Sequence, residues 1–413
     1  MFFKGIVKTA AFATLMWILA ATGSRGVIYD DTVLPDSDDT YTTALFRIYL
    51  PESAPLIRGI YFYVDPYNVD SRYIAAHPDF QALCGKADFA LMGAQLDSRF
   101  METGIGKAVL RALQHFAGLS SHPELEFSTI FFEGYSWGGQ FSYHFAIWLP
   151  ERVIGFVTQK GGYHDTGPAG AAVQVPGYLF VGENDEPYRI ENLTGIFKKQ
   201  RLLGARWILA MQPDAGHERI TDRNLLDNYF QTVSELRLPG TIPVDRPVQL
   251  IVLDETESWL GNLVTQEIGD YICYNDSVET ACWFPSSEIG KRWQVFVSDT
   301  TVTDTIPCGS SGIDAGESLH SRLHEGLRAI PNPCHSSIAI HFYLPTAAEA
   351  ELSIYDAAGR VVLKLIDDRL PAGAHTVRWQ GSDAGGDAMK NGIYFSKLKA
   401  NSSEATGKII LIR

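Results

Sequence analysis

The sequence predicts an α/β protein built on a mostly parallel sheet, followed by a small all-β sandwich. Three observations carry this. Near-continuous apolar runs alternate with helical stretches from Thr42 to about Leu238. After Arg328 the pattern changes to short alternating strands broken by glycines. Between a buried run and a helical stretch stands Gly134-Tyr135-Ser136-Trp137-Gly138, a strand-turn-helix signature.

Taken in chain order, Lys4 and Lys8 precede an apolar run from Thr9 to Ala21, and the small residues Ala21-Thr22-Gly23 follow. This is the layout of a secretory signal over 1–23, and the run is shorter than the roughly 20 residues a bilayer span needs. No membrane span is expected in the mature protein. Strands are expected at Leu45 to Leu50, Gly59 to Val64, Ala87 to Gly93, Phe127 to Phe132, Val153 to Val157, Tyr178 to Val181 and Trp207 to Met211. Gly106 to Phe116 and Gln140 to Leu149 read as helices between them. From Pro239 to about Asp299 the pattern is less regular and rich in aromatics such as Trp259, Tyr271, Trp283 and Trp293, which reads as an extension packed on the core or as a substrate-binding cap. A catalytic domain over 24–299 results, with its extension from about 239. Gly309-Ser310-Ser311-Gly312 marks a linker over 300–328. The last domain, 329–413, offers strands at Ile338 to Leu344, Glu351 to Tyr355, Val361 to Leu365, His375 to Trp379, Ile393 to Leu398 and Lys408 to Leu411.

The 413 residues carry 34 Lys plus Arg against 48 Asp plus Glu, and a net charge of −14 repels phosphate backbones. Nucleic acid is excluded as an expected partner. Five cysteines, Cys84, Cys273, Cys282, Cys308 and Cys334, include no Cys-x-x-Cys pair, so no zinc site is expected. Cys273 and Cys282 are close enough to close a short loop, the alternative being buried thiols. Asp30-Asp31, Asp36 and Asp38-Asp39 lack the spacing of a dedicated calcium loop and read as a solvated stretch.

Chemistry concentrates on three side chains. A nucleophile on a sharp turn needs glycines to either side, and Gly134 and Gly138 supply them around Ser136. A serine hydroxyl needs a base and an orienting acid, in the chain order Ser, Asp or Glu, His. Asp185, in Gly182-Glu183-Asn184-Asp185, and His217, in Ala215-Gly216-His217-Glu218, both follow expected strands at their carboxyl ends. Glu183, Glu186 and Asp214 are rival acids, and His164 is a rival base in the wrong chain order. The oxyanion hole is assigned to the N–H groups of Trp137 and of Tyr67, the latter in Val64-Asp65-Pro66-Tyr67, with Asp65 an alternative; Pro66 has no N–H.

By these residues the segment from Thr42 to Leu238 resembles the α/β-hydrolase superfamily, near its dienelactone hydrolase, feruloyl esterase and polyester depolymerase relatives. Many relatives have His-Gly in the oxyanion loop where this chain has Asp65-Pro66. The carboxyl-terminal segment resembles the FlgD-like immunoglobulin fold and type IX secretion sorting domains. The carrying residues are Pro331-Asn332-Pro333, Leu352-Ser353-Ile354-Tyr355-Asp356 with Gly359-Arg360, Leu370-Pro371-Ala372-Gly373, Trp379, Gly392-Ile393-Tyr394-Phe395, Lys408 and Arg413; Cys334 stands where relatives have Phe. These resemblances imply a secreted serine esterase acting on a small or polymeric ester without metal or organic cofactor. They also imply secretion machinery as a partner of the last domain and a location outside, or on the surface of, a Gram-negative cell. A serine peptidase of the prolyl oligopeptidase kind and a non-catalytic surface binder are the alternatives.

Overall fold

Apolar runs long enough to be buried on both faces become parallel strands because only helices on each side can cover them. The computed structural model describes residues 25–274, 276–298, 305–306, 327–330, 334, 337–344, 347–371, 373–401 and 403–412. The expected signal segment, nearly all of the linker, Cys308, Pro331-Asn332-Pro333, Ala372 and Arg413 lie outside these residues.

One sheet of eight described strands forms the core, in the order β1-β2-β4-β3-β5-β6-β7-β8. Its members are β1 (Gly26–Thr32), β2 (Ala44–Pro51), β3 (Gly59–Val64), β4 (Phe89–Leu96), β5 (Ile130–Tyr135), β6 (Val153–Gln159), β7 (Gly177–Gly182) and β8 (Trp207–Gln212). β1 and β2 are antiparallel to their neighbours, and the strands from β4 to β8 run parallel. This is the α/β-hydrolase fold. Helices α1 (Pro78–Ala87), α2 (Ile105–Leu119), α3 (Trp137–Trp148) and α4 (Pro187–Arg201) lie between strands of the parallel sheet, α5 (Arg223–Arg237) follows β8, and together they cover the faces. Every residue of β3, β6 and β7 is buried, as expected of interior parallel strands.

The expected strand from Phe127 begins later, at Ile130, because Pro123–Phe127 winds into a 3₁₀ turn. β1 escaped the sequence reading because its Asp30 and Asp31 resemble a loop. Both carboxylates are partnered, Asp30 by Arg47 at 2.7 Å and Asp31 by His115 at 2.8 Å, while Asp36 and Asp39 each pair with Arg111 at 2.6 Å.

Residues 239–298 hold more order than their sequence suggests. A three-stranded sheet forms from β9 (Trp259–Asn262), β10 (Ile268–Asp270) and β11 (Ala281–Phe284), and α6 (Ser287–Val297) follows. This extension covers β8, the last strand of the main sheet, whose open edge would otherwise invite pairing with another chain. The indole N–H of Trp293 donates to the Leu209 carbonyl at 2.7 Å, and the Cys282 thiol meets both Leu209 N and O at 3.3 Å. Cys282 is thus a buried free thiol, its pKa pushed up to about 12 by burial. Cys273 is disulfide-bonded, so the short Cys273–Cys282 loop does not form. Below this layer the guanidinium of buried Arg201 donates to Ala281 O and Glu255, and Arg206 meets the other oxygen of Glu255 at 2.9 Å.

The carboxyl-terminal strands form two antiparallel sheets. One joins β12 (Arg328–Ile330), β13 (Ile338–Leu344) and β16 (Gly373–Trp379); the other joins β14 (Ala348–Asp356), β15 (Val361–Leu370), β17 (Gly392–Ala400) and β18 (Ser403–Leu411). Their core is built from Ile340, Leu352, Ile354, Trp379, Leu398 and Ile409. Cys334 is buried in the same core, and its backbone bonds to Ile410 and Ile412 beside β18.

Candidate active site

The site lies at the carboxyl end of the parallel strands, where helices begin and amides point outward. β5 runs into Ser136, and α3 starts one residue later. Ser136 sits at φ 54°, ψ −116°, a conformation that L-residues rarely adopt and that the surroundings must enforce. The Ser136 N–H donates to the Gln159 carbonyl at 2.7 Å, tying the turn to the end of β6. Glycine is required on both sides: a Cβ at Gly134 would strike the Gly138 carbonyl, and one at Gly138 would strike the Val64 carbonyl. The close approach holds the start of α3 against the loop after β3, which carries Asp65 and Tyr67.

Asp185 follows β7 and His217 follows β8, so each arrives from a different loop. His217 Nε2 lies 2.9 Å from Ser136 Oγ, and His217 Nδ1 lies 2.9 Å from Asp185 Oδ2. The Asp185 side chain is almost fully buried, and Ser136 is half-buried. Burial opposes the charge on Asp185, but bonds from His217, the Glu186 N–H at 2.7 Å and Arg189 at 2.8 Å outweigh it and hold the carboxyl below its usual pKa. An ionised acceptor behind the imidazole favours a proton on Nδ1 and leaves Nε2 free to receive one.

The rivals take other roles. Glu183 accepts from the Asp214 N–H at 3.0 Å, and Glu186 contributes its backbone to Asp185. His164 is buried between Thr158 Oγ1 and Asn192 Oδ1, each at 2.9 Å, and burial pushes its pKa down to about 3. Such an imidazole stays neutral and bonded to its own partners. Asp65 is also buried, its carboxylate paired with Arg219 at 2.6 Å. Trp137 is the first residue of α3, whose opening N–H groups have no acceptor within the helix. The exposed Tyr67 ring meets the Trp137 ring edge-on at 5.7 Å, so the two residues named for the oxyanion hole occupy one corner of the site.

Sequence reasoning missed what holds the His217 loop. The Tyr135 hydroxyl donates to the His217 carbonyl. Arg219 reaches Asp65 and the Tyr63 hydroxyl. The Ile220 N–H donates to the Gln159 side chain at 3.0 Å, whose amide N–H donates to Glu133 Oε1 at 2.9 Å. Arg223 then meets both oxygens of buried Glu133, at 2.8 and 3.0 Å. Arg189 alone had a legible signal, since it stands four residues after Asp185 at a helix start, the spacing of a helical ion pair. Arg223 and Glu133 lie 90 positions apart, beyond any local pattern.

Residues 335–404 match the family of FlgD Ig-like domains. Among solved structures, the chain is similar to a ferulic acid esterase, at 11% identity and TM-score 0.39 over 51% of this chain and 98% of that chain. It is also similar to an S-formylglutathione hydrolase from Agrobacterium tumefaciens, at 11% identity and TM-score 0.40 over 52% of this chain and 96% of that one. A third is the fluorophosphonate-binding serine hydrolase F of Staphylococcus aureus, at 10% identity and TM-score 0.39 over 51% of this chain and 98% of that chain. No curated protein matches the sequence. Among the described residues, no helix is long and apolar enough to cross a membrane, and no group of three or more His, Cys, Asp and Glu side chains could hold a metal ion.

Proposed function

We propose that this chain is a secreted serine carboxylic-ester hydrolase. The observation that carries the reading is the unbroken relay from Asp185 through His217 to Ser136, with both contacts at 2.9 Å. In the first half-reaction Ser136 Oγ attacks the ester carbonyl carbon as its proton passes to His217 Nε2. Ionised Asp185 stabilises the resulting imidazolium. Negative charge develops on the former carbonyl oxygen beside the Trp137 N–H, with the Tyr67 amide as the second donor and the positive end of α3 beneath both. The imidazolium protonates the departing alcohol, leaving an acyl group on Ser136. Water then gives its proton to the same nitrogen and releases the acid.

Feruloyl, acetyl and polyester substrates are the proposed range, consistent with an extracellular setting. The amino-terminal signal layout and the FlgD-like domain support export, with that domain engaging secretion machinery. The mature protein is assayed with a short-chain nitrophenyl ester and an aminoacyl nitroanilide, beside Ser136→Ala. Ester turnover should fall by several orders of magnitude in the variant, the usual scale for a member of such a relay. Equal turnover by both proteins refutes the reading, selective amide turnover shifts it to a peptidase, and no turnover of either leaves a surface binder.

A further inference from the structure

Arginines around the site meet carboxylates: Arg189 holds Asp185, Arg219 holds Asp65 and Arg223 holds Glu133. Arg99, three residues beyond β4, does not. Among the described residues no acidic side chain reaches its guanidinium, and its Nε is buried without a hydrogen-bond partner. The group lies instead over the Phe100 ring at 4.6 Å and faces the Tyr163 ring at 6.0 Å. Tyr163 stacks on Tyr188 at 5.0 Å, and Phe100, Tyr163 and Tyr188 are exposed by 42%, 61% and 37%. A partly buried cation without a counter-ion is costly, and exposed rings beside it shield an arriving anion from water. In a chain with a net charge of −14, intramolecular partners are abundant, yet none among the described residues is used.

The cluster adjoins the relay. Tyr163 lies two residues after Gly161, where an added Cβ would stand 3.0 Å from the Ser136 carbonyl oxygen, and Tyr188 precedes the arginine that holds Asp185. On its other side the Arg99 carbonyl accepts from His144 Nδ1 at 3.2 Å. His144 lies on α3, and the distance along the helix from Ser136 to it is about 12 Å at 1.5 Å per residue.

We infer that Arg99, walled by Phe100 and Tyr163, is a subsite for a free carboxylate carried by the ester substrate, set apart from the bond that is cut. The preferred class is then esters with an acid group at the far end of the acyl or alcohol part. The kinetic consequence rests on the esterase reading above; the binding site itself does not.

The test pairs nitrophenyl half-esters of straight dicarboxylic acids, from succinic to sebacic, with neutral esters of the same chain length. The kcat/KM ratio of charged to neutral ester should rise with length to about tenfold, the scale of a charge-assisted hydrogen bond. Added salt should lower that ratio while leaving neutral esters unaffected. In Arg99→Gln the ratio should collapse with neutral turnover retained. An unchanged ratio at every length in both proteins overturns the subsite. Calorimetric titration with 2-naphthoate decides independently of turnover: binding that Arg99→Gln abolishes supports the subsite, and equal binding or none in the parent protein overturns it. If no ester is turned over, the hydrolase reading fails and the titration alone judges Arg99.

Discussion

Acid should weaken this fold through a histidine that takes no part in the relay. His164 is buried at the end of β6, accepting from the Thr158 hydroxyl through Nε2 and donating to Asn192 Oδ1 through Nδ1. That arrangement fits a neutral ring, and burial lowers its pKa from 6.5 to about 3. Between these values the unfolded chain binds a proton that the native protein does not. Stability contributed by this group is therefore complete above pH 6.5 and is lost as pH falls toward the native value. At 1.36 kcal/mol per unit, acidification to pH 5 should cost about 2 kcal/mol from this residue. His164→Gln removes the titration. Near pH 7.5 the variant should be less stable by about 1–2 kcal/mol, through its altered hydrogen bonds. By pH 5 the gap should close or reverse. Calorimetric melting of both proteins across this range measures the difference, in which contributions from the carboxyl-terminal domain cancel. A gap that stays constant from pH 7.5 to 5 would refute the reasoning.

Two further outcomes follow from the site. Gly138→Ala places a Cβ against the Val64 carbonyl, a backbone atom that cannot swing aside, and should destabilise the protein by about 3 kcal/mol or more; an unchanged melting temperature would contradict the close approach of α3 to β3. Arg189→Gln removes a charged donor from buried Asp185, so its pKa should rise, and kcat/KM should fall by about tenfold, with the loss deepening toward acid pH as Asp185 takes up a proton. A pH profile that does not change would show that the other donors suffice.

Much was decided by composition and local pattern. Interior strands such as β3, β6 and β7 were legible because burial on both faces demands apolar side chains without interruption. Ser136 was legible because a turn this tight excludes side chains at 134 and 138, and Asp185 and His217 because their strands end where such sheets place chemistry. The carboxyl-terminal sandwich announced itself through alternation and glycine punctuation, and its family match over 335–404 accords with that.

What the tertiary structure alone decided is how charge and edges are managed. β1 is a strand because Arg47 and His115, distant in sequence, neutralise its aspartates. Residues 239–298 become ordered by closing the open side of β8, where an indole and a thiol serve the Leu209 backbone. Glu133, Gln159, Arg219 and Arg223 brace the His217 loop, and near the site Arg99 is a cation that no acid among the described residues claims. Periodicity reports which face of an element meets oil and which meets water. It says nothing of which charge will stand beside which, because that depends on segments brought together only when the sheet is assembled.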